Sequence, residues 1–394
     1  MKGTVHYEVK DGVAILTVDN PPVNPLSDGV RAGLVDNIKK AEDDSDIIGV
    51  VLTGAGRSFI AGADISEFGK SPDGPGLDEA FKSLEFCSKP VVAAINGSAL
   101  GGGLETALVC NYRIAGPAAF VGLPEVNLGL LPGAGGTQRL PRLVGLAEAL
   151  KMMLTGMHVN AKKALDMGII DEISDDLIND SVNFVKKVSS ESGDHPKVRD
   201  LNEKVLEARG SENILLEAKA MAAKSRKGQF APGQIIKCVE AAINLDDFDE
   251  GMKKESDYFI ECLVNPQREA MIHIFFGERA ASKIADVPRE TPIKDIKKAG
   301  IIGSGTMGGG IAMCFANAGI PVHIIDQDED NLKRGVSVIE KNYQFMVDRG
   351  RMNLEMKEGV FGLISSSLDY NDVADCDIVI EAVYENLELK EVLS

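Results

Sequence analysis

Apolar and polar positions alternate along the start of the chain, and this alternation predicts a pair of β-strands. The alternating stretches are residues 5–9 and 13–18. Between them stands Asp11-Gly12, a dipeptide that is typical of tight hairpin turns. Two prolines, at positions 21 and 22, then end the pattern. We therefore expect the chain to begin with an antiparallel hairpin.

The apolar spacing then lengthens from two residues to between three and four. This change predicts a helix over residues 27–43, with Ser27 as its N-cap. An apolar run at residues 47–53 follows and predicts a buried strand. The order strand, helix, strand implies a right-handed crossover, so we expect residues 13–18 and 47–53 to pair in parallel. The apolar positions with helical spacing are Val30, Leu34 and Ile38.

A second apolar run, residues 89–96, predicts another buried strand with a helix after it. Gly101, Gly102 and Gly103 stand where this helix begins, and three adjacent glycines indicate a backbone that must approach another group closely. The free N–H groups at such a start favour negative charge and would form half of an oxyanion hole. Glu105 lies within one turn of them. A carboxylate placed there only to complement the helix dipole is the alternative interpretation.

Glu125 is the second candidate catalytic residue. It lies in a mostly apolar stretch, residues 120–130. A charged side chain in such surroundings is costly unless it has a partner or a function. Glu105 and Glu125 are therefore a candidate pair of acid and base.

Helical spacing continues through the middle of the chain. Residues 145–155 and 160–167 predict two amphipathic helices, the second ending at Gly168. Residues from about 176 to 287 are predicted to be almost entirely helical. An acidic segment at residues 245–250 interrupts these helices.

The last hundred residues carry a glycine-rich motif between a predicted strand, residues 296–303, and a predicted helix. A second strand at residues 321–325 follows and ends at an aspartate. Such glycines let a pyrophosphate approach the helix N-terminus, and the acidic residue accepts hydrogen bonds from the adenosine ribose, which favours NAD over NADP. Glycines of an ordinary strand-to-helix turn are the alternative. The candidate NAD-binding residues are Gly303, Gly305, Met307, Gly308 and Asp326.

Composition excludes several classes of function. The 394 residues carry a formal net charge of −18, which argues against binding to a nucleic-acid backbone. The six cysteines and five histidines are dispersed, so we expect neither a disulfide framework nor a metal site. No segment reaches the roughly 18 uncharged apolar residues of a membrane span, and the N-terminus lacks the apolar core of a signal peptide. We therefore expect an intracellular protein.

Three ordered motifs resemble the crotonase family, which comprises enoyl-CoA hydratases and isomerases. They cover residues 61–65, 95–108 and 123–140. The resemblance implies an α/β crotonase fold, a ClpP-like ββα spiral, in which Glu105 and Glu125 are catalytic. It also implies that the backbone N–H groups of Ala63 and Gly102 form the oxyanion hole. Glycine turns that serve only the fold are the alternative for either loop.

The same resemblance implies a coenzyme A site along the glycine-rich loop at residues 54–66 and beside the third motif. The family often has a basic residue after the first motif to meet the phosphates, where this chain has Ser66. Arg57 and Lys70 are the candidates to replace that residue. The full set of candidate residues for binding substrate is Arg57, Ala61, Asp64, Ile65 and Gly133.

Two further resemblances concern the rest of the chain. Residues 229–237 and 274–283 are similar to the helical connector of multifunctional β-oxidation enzymes, and the segment from Gly303 resembles 3-hydroxyacyl-CoA dehydrogenases. Together they imply three parts: the crotonase core, residues 1–175, the helical connector, residues 176–293, and the first half of a Rossmann dinucleotide-binding domain, residues 294–394.

The resemblance places the catalytic His and Glu of the dehydrogenases beyond Ser394. His323, inside a predicted strand, has a position for sheet packing rather than hydride chemistry. We therefore expect this chain to have no useful dehydrogenase activity. We also expect weak or no binding of NAD.

The reaction implied for the crotonase part is hydration of a 2-enoyl-CoA thioester without a cofactor. Glu105 would assist deprotonation of the water and Glu125 would exchange the proton of the α-carbon, while the oxyanion hole stabilises the enolate. Δ3,Δ2-Enoyl-CoA isomerisation at the same site is the expected side activity. The expected protein is a monomer in the cytoplasm, or in the peroxisome of a eukaryote.

Two alternatives from other classes stay open. One is a non-catalytic module for acyl-CoA binding or assembly, because one fold can serve several functions. The other is an NAD-binding sensor. Turnover of a short enoyl-CoA distinguishes an enzyme from the first alternative, and calorimetry with NAD tests the second.

Overall fold

The structure, a computed structural model, describes residues 2–67, 74–191, 193–281, 283–288 and 290–393. The chain divides into two compact units, Met1–Lys283 and Ile284–Ser394. The predicted boundaries of the three parts, after residues 175 and 293, stay predictions.

The strands of the first unit belong to two sheets. A six-stranded sheet has the order β1-β2-β3-β5-β7-β10, and a four-stranded sheet has the order β4-β6-β8-β9. All neighbours pair in parallel except β1 with β2 and β8 with β9, which are antiparallel. The strands are β1 Thr4–Lys10, β2 Val13–Asp19, β3 Gly49–Gly54, β4 Ser58–Ile60, β5 Val91–Ile95, β6 Ser98–Leu100, β7 Tyr112–Ala115, β8 Phe120–Gly122, β9 His158–Asn160 and β10 Glu172–Ile173.

Helices surround these sheets and make up the rest of the first unit. The helices are α1 Asp28–Asp43, α2 Leu77–Glu85, α3 Gly102–Val109, α4 Gly136–Val144, α5 Leu146–Thr155, α6 Ala161–Asp166, α7 Leu177–Ser189, α8 Glu203–Glu207, α9 Glu212–Ser225, α10 Ala231–Asn244, α11 Phe248–Val264 and α12 Pro266–Ala281. Three successive repeats, β3-β4-α2, β5-β6-α3 and β7-β8-α4, each place one strand in the large sheet and one in the small sheet. The expected ββα spiral is therefore confirmed.

The first elements agree with the sequence pattern. β1 and β2 pair around Asp11, and α1 crosses over so that β3 pairs in parallel with β2. Ser27 does occupy the N-cap position of α1, but its side chain caps nothing. Its hydroxyl instead donates to the carbonyl oxygen of Lys2 and accepts from the side-chain amide of Asn20. The N-cap position was predicted correctly, whereas its chemistry was not.

The small sheet was not predicted. We expected the strand at residues 89–96 to lead directly into a helix, but β6 comes between β5 and α3. Residues 54–66, expected to be a loop, likewise contain β4. Strands of three residues are too short to show a period of two, which is why the sequence pattern misses them.

Residues 177–281 are mostly helical, as predicted for residues 176–287, and many of them pack on the same core as the sheets. Ile235, Val239 and Cys262 are fully buried in the main apolar cluster, together with strand residues of the large sheet. α7 covers the opposite face of that sheet through Val182 and Val185. These helices, α7 to α12, are called the helical segment below. The helical segment completes the core of the first unit.

The second unit contains one parallel four-stranded sheet of order β13-β12-β11-β14. This order is that of the first four strands of a Rossmann fold, as predicted. Its elements are β11 Ala299–Ile302, α13 Thr306–Asn317, β12 Val322–Ile325, α14 Glu329–Asp348, α15 Leu354–Phe361, β13 Ile364–Ser367, β14 Ile378–Glu381 and α16 Leu387–Leu393. Across the described parts of both units, no helix combines the length and apolar character that a membrane crossing requires.

Candidate active site

Glu105 lies in the first turn of α3 and is almost fully buried, with 3% of its surface exposed. Its carboxyl oxygen Oε1 accepts two hydrogen bonds, from the backbone N–H groups of Ala134 and Gly136, each 2.8 Å long. Both donors belong to the turn that begins α4. The first N–H groups of a helix have no acceptor within it and favour negative charge, so this helix start stabilises an ionised Glu105.

Another buried glutamate, which was not predicted from the sequence, binds the same turn. Glu255 of α11 accepts from the N–H of Gly135 at 2.6 Å through Oε1, and from the N–H of Thr137 at 3.1 Å through Oε2. The hydroxyl of Thr137 also donates to Oε2. Four successive amides, those of residues 134–137, therefore alternate between Glu105 and Glu255.

A sequence signal for Glu255 did exist. The buried positions of α11 are Phe248, Gly251, Glu255 and Cys262, which share one face of the helix. A charged residue on the apolar face of an amphipathic helix is costly unless it has a partner. The pattern could have identified this glutamate as a residue with a buried partner, although not which partner.

Glu125 has a different environment. It begins a short 3₁₀ turn, Glu125–Leu128, next to the small sheet. Its oxygen Oε2 is buried and has no hydrogen-bond partner among the described residues. A Cβ added at Gly101, the N-cap of α3, would lie 2.8 Å from its oxygen Oε1. The carboxyl group of Glu125 thus faces the start of the helix that carries Glu105.

The three carboxyl groups affect one another. Burial raises the pKa of Glu105, while the hydrogen bonds from Ala134 and Gly136 lower it. Burial, together with the charges of Glu105 and Glu255, raises the pKa of Glu125 well above its ordinary value.

The pKa of Glu255 is also raised, to about 8, by burial and by the charge of Glu105. The hydrogen bonds from Thr137 and Gly135 act in the opposite direction. Since Glu125 has the fewest donors, it is the carboxyl group that holds a proton most readily.

A buried ion pair fixes α4 beside these groups. Arg139 donates two hydrogen bonds to Glu85, 2.8 and 2.7 Å long, and both side chains are almost fully buried. The charge of Arg139 lowers the pKa of both Glu105 and Glu255. Arg139 therefore favours the ionised forms of the two glutamates at the start of α4.

The two predicted oxyanion-hole amides lie on neighbouring backbone segments. A Cβ added at Gly102 would lie only 3.2 Å from the backbone nitrogen of Ala63. Among the backbone hydrogen bonds of loops, turns and caps in the described residues, none uses the N–H of Ala63 or Gly102. Gly102 is the first residue of α3, so its N–H also lacks an acceptor within the helix.

The predicted coenzyme A residues are only partly brought together. Ala61, Asp64 and Ile65 lie on the segment that carries Ala63, and the carboxylate of Asp64 forms an ion pair with Lys2 at 3.4 Å. Gly133 is exposed beside the turn that binds Glu105. Arg57 is exposed at the opposite end of β4. Lys70 lies outside the described residues. The binding roles of these residues stay predictions.

The second unit has a cavity of about 610 Å³ at the carboxyl end of its strands. Gly303, Gly305 and Asp326 line it, as predicted for a dinucleotide site, together with Ser304, Arg334 and Tyr384. Met307 and Gly308 are not among its lining residues. Met307 is 69% exposed, and Gly308 lets α13 pack on the preceding turn, since a Cβ there would lie 1.8 Å from the carbonyl oxygen of Gly303.

The lining residues fit NAD. Gly305, the N-cap of α13, has no side-chain cap, and a Cβ added there would meet no atom within 4 Å, so space for a pyrophosphate lies at the helix start. Asp326 accepts hydrogen bonds from the N–H and hydroxyl of Ser304, 2.8 and 2.5 Å long. Burial alone would raise the pKa of Asp326, but these hydrogen bonds lower it, so its carboxylate is ionised and able to accept from a ribose. His323, as expected, serves sheet packing, with its ring bonded to Ser365 and Ser367 of β13.

Each of the two units contains a region that matches a known protein family. Residues 8–230 match the enoyl-CoA hydratase/isomerase family, and residues 298–394 match the NAD-binding domain of 3-hydroxyacyl-CoA dehydrogenases. Glu255 lies outside both matched ranges. The second unit therefore resembles the NAD-binding domain of these dehydrogenases.

Individual relatives carry both regions in one chain. The peroxisomal fatty acid beta-oxidation multifunctional protein MFP2 of Arabidopsis thaliana is 37% identical over 403 residues, covering 99% of this chain and 55% of that protein. The fatty acid oxidation complex subunit alpha of Shewanella sp. (strain MR-4) is 38% identical over 397 residues, covering 97% of this chain and 56% of that protein. The chain thus spans about half the length of these relatives.

A solved structure supports the fold of the first unit. The enoyl-CoA hydratase/isomerase of Pseudoalteromonas atlantica is 25% identical, with a TM-score of 0.52. The similarity covers 70% of this chain and 97% of that one.

Proposed function

The chain belongs to the enoyl-CoA hydratase/isomerase family, and on this basis we propose that it adds water to trans-2-enoyl-CoA thioesters. One observation carries the proposal: Glu105 and Glu125, whose charges affect each other, stand in opposite hydrogen-bonding environments. Glu105 accepts two backbone hydrogen bonds, whereas Oε2 of Glu125 accepts none from the described residues. Hydration needs one carboxylate as a base and one carboxylic acid as a proton donor, and this contrast supplies both.

In the proposed reaction, ionised Glu105 accepts a proton from a water molecule as the water oxygen bonds to C3 of the substrate. The π electrons of the C2–C3 double bond move towards the thioester carbonyl and produce an enolate. Protonated Glu125 then donates its proton to C2, which gives the 3-hydroxyacyl thioester. Glu105 ends protonated and Glu125 ionised, so a proton must pass from one to the other before the next turnover.

The amides of Ala63 and Gly102 are the proposed donors to the enolate oxygen. Their nearness supports this role, and among the described residues neither amide takes part in a backbone hydrogen bond of a loop, turn or cap. Each such preorganised donor typically stabilises the transition state by roughly 3 kcal/mol. The same enolate stabilisation supports a side activity, in which Glu125 moves a proton between C2 and C4 of a 3-enoyl thioester and so acts as a Δ3,Δ2-enoyl-CoA isomerase.

Incubation of the chain with crotonyl-CoA, followed by identification of the product, tests the proposal. We expect 3-hydroxybutyryl-CoA to form and the conjugated absorbance of the enoyl thioester to disappear. Binding of crotonyl-CoA without any product would support the non-catalytic module instead. A shift of the double bond without hydration, seen with a 3-enoyl-CoA, would leave isomerisation as the main activity.

For the second unit we propose NAD as the ligand, held by Gly303, Gly305 and Asp326 at the start of α13. The cavity lined by these residues favours NAD binding over the weak or absent binding expected from the sequence. When bound, NAD would accept a hydride from a 3-hydroxyacyl substrate, and the chain's own contribution is to bind the pyrophosphate and the adenosine ribose. Both full-length relatives are named for fatty acid oxidation, which supports this pairing of activities in the whole protein.

We further propose a monomer, located in the cytoplasm of a bacterium or in the peroxisome of a eukaryote. The helical segment buries part of its apolar residues, among them Ile235 and Val239, in the core of its own chain, which supports the monomer. Sedimentation at micromolar concentration tests the oligomeric state, and a trimer would contradict it.

A further inference from the structure

The turn at residues 134–137 joins two carboxylates that lie 150 positions apart in the sequence. Its even-numbered amides, Ala134 and Gly136, donate to Glu105, and its odd-numbered amides, Gly135 and Thr137, donate to Glu255. Successive amides of an extended or tightly turned backbone point in different directions. Each carboxylate therefore occupies its own side of the turn, and neither can move without affecting the amides that hold the other.

Glu255 is placed to hold this turn rigidly. It is 1% exposed, and both of its oxygens accept hydrogen bonds from the turn. The surrounding part of α11 also touches the turn closely. A Cβ at Gly133 would lie 2.4 Å from the ring of Phe259, and one at Gly135 would lie 3.3 Å from the sulfur of Met252. The contact between α11 and the turn is thus closely packed on both sides of Glu255.

We propose that Glu255 is a positioning residue for Glu105, acting through the turn at residues 134–137. The inference rests on the proposed function, because Glu105 is the base of the proposed hydration. In the proposed hydration, Glu255 does not touch the reacting atoms. It fixes the amides that orient Oε1 of Glu105, so a residue of the helical segment contributes to the catalytic centre of the sheet-containing core.

The physical reason is the cost of unpaired buried donors. Without the carboxyl group of Glu255, the N–H groups of Gly135 and Thr137 and the hydroxyl of Thr137 lose their partner in a buried place. The turn would then rotate to find other acceptors. Because adjacent amides share one peptide backbone, that rotation would also move the donors to Glu105.

Steady-state kinetics of full-length variants with crotonyl-CoA test the proposal. Glu255→Ala removes the acceptor. Glu255→Gln keeps one carbonyl oxygen that can accept from Gly135 and an amide group that can donate to the hydroxyl of Thr137. The matched control is Cys262→Ala, which removes a fully buried side chain from the same face of α11 at a position that does not bond to the turn.

We expect Glu255→Ala to lower kcat roughly 10- to 100-fold, as displacement of a catalytic group by about 1 Å does, with KM within about threefold of wild type. Glu255→Gln should recover part of the lost kcat. Cys262→Ala should keep kcat within about twofold of wild type, even if it lowers the melting temperature as much as Glu255→Ala does. A kcat of Glu255→Ala close to wild type, or equal losses in Glu255→Ala and Cys262→Ala, would overturn the proposal.

Hydrogen–deuterium exchange of the same variants without substrate separates this inference from the proposed function. We expect the amides of residues 134–137 to exchange faster in Glu255→Ala than in Cys262→Ala. If wild type leaves crotonyl-CoA unchanged, the proposed hydration fails while the exchange result still tests the link between Glu255 and the turn. If wild type is active but exchange in the turn is unaltered by Glu255→Ala, the positioning role is wrong and the hydratase stands.

Discussion

The carboxyl oxygen Oε1 of Glu125 lies 2.8 Å from the point where a Cβ at Gly101 would stand. Gly101 also has φ +54° and ψ −126°, a backbone conformation that residues with a side chain rarely adopt. Position 101 therefore requires glycine for two independent reasons, one conformational and one concerning the candidate catalytic acid.

This relationship predicts that Gly101→Ala inactivates the protein. The new methyl group would push the carboxyl group of Glu125 aside and disturb the start of α3, so we expect hydration of crotonyl-CoA to fall by about 100-fold or more. The control is Gly210→Ala, which places a side chain at φ +81° with no atom within 4 Å. It should lose about 1–2 kcal/mol of stability but keep its activity. Equal activity in the two variants would contradict the prediction.

A second prediction distinguishes the roles of the two glutamates. Glu105→Gln keeps a carbonyl oxygen for both amide donors, since these bond to the same oxygen, so the fold should be preserved. We expect it to lose hydration but to retain exchange of the C2 proton, whereas Glu125→Gln should lose both. Hydration of crotonyl-CoA can be followed by absorbance, and exchange by incorporation of deuterium from D2O at C2 of butyryl-CoA, a saturated thioester whose C2 proton is acidic. Hydration by Glu105→Gln at the wild-type rate would remove Glu105 from the mechanism.

The third prediction concerns stability and pH. Burial and the charge of Glu105 raise the pKa of Glu255 from 4.5 to about 8, so between these values the folded protein holds a proton that the unfolded chain releases. The contribution of Glu255 to the free energy of unfolding is therefore fully present below pH 4.5, and it is lost as the pH rises towards about 8. We expect urea unfolding to show a free energy of unfolding that declines less steeply from pH 5 to 8 in Glu255→Gln than in wild type. Glu217→Gln, an exposed substitution, should follow the wild-type curve.

A fourth prediction concerns the NAD site. Asp326→Ala removes the proposed ribose acceptor and leaves Ser304 without its carboxylate partner. A hydrogen bond to a charged group contributes about 1.5 kcal/mol or more, so calorimetry should show NAD binding weakened by roughly tenfold, with less discrimination against NADP. Asp375→Ala, a loss of charge at an exposed ion pair with Lys298, should leave NAD affinity unchanged. Unaltered affinity in Asp326→Ala would remove this residue from the site.

Local sequence patterns predicted those parts of the molecule that depend on neighbouring residues. The hairpin of β1 and β2 depends on alternation around one turn, and the β11-α13-β12 unit depends on a motif of about thirty residues. Glu105 and Glu125 could be identified as candidate catalytic residues because each stands within its own short motif. The resemblance to a family then indicated that the two act as a pair.

Features that depend on distant contacts could not be predicted in this way. Glu255 meets its partners 118 and 120 positions away, and only its place on the apolar face of α11 hinted at a buried role. The three-residue strands β4 and β6 have no periodic pattern of their own and are stabilised by pairing with each other. Ser27 occupies a predicted cap position, but tertiary contacts with Lys2 and Asn20 determine the use of its hydroxyl.

The sharing of one turn by Glu105 and Glu255 bears on how the protein is made. During synthesis the ribosome releases the start of α4 about 120 residues before α11, the helix that supplies the second carboxylate. A nascent chain therefore carries Glu105 and Glu125 while the turn at residues 134–137 still lacks its hydrogen bonds to Glu255. Catalytic competence would then appear late, only when the helix that carries Glu255 has folded onto the earlier part of the chain.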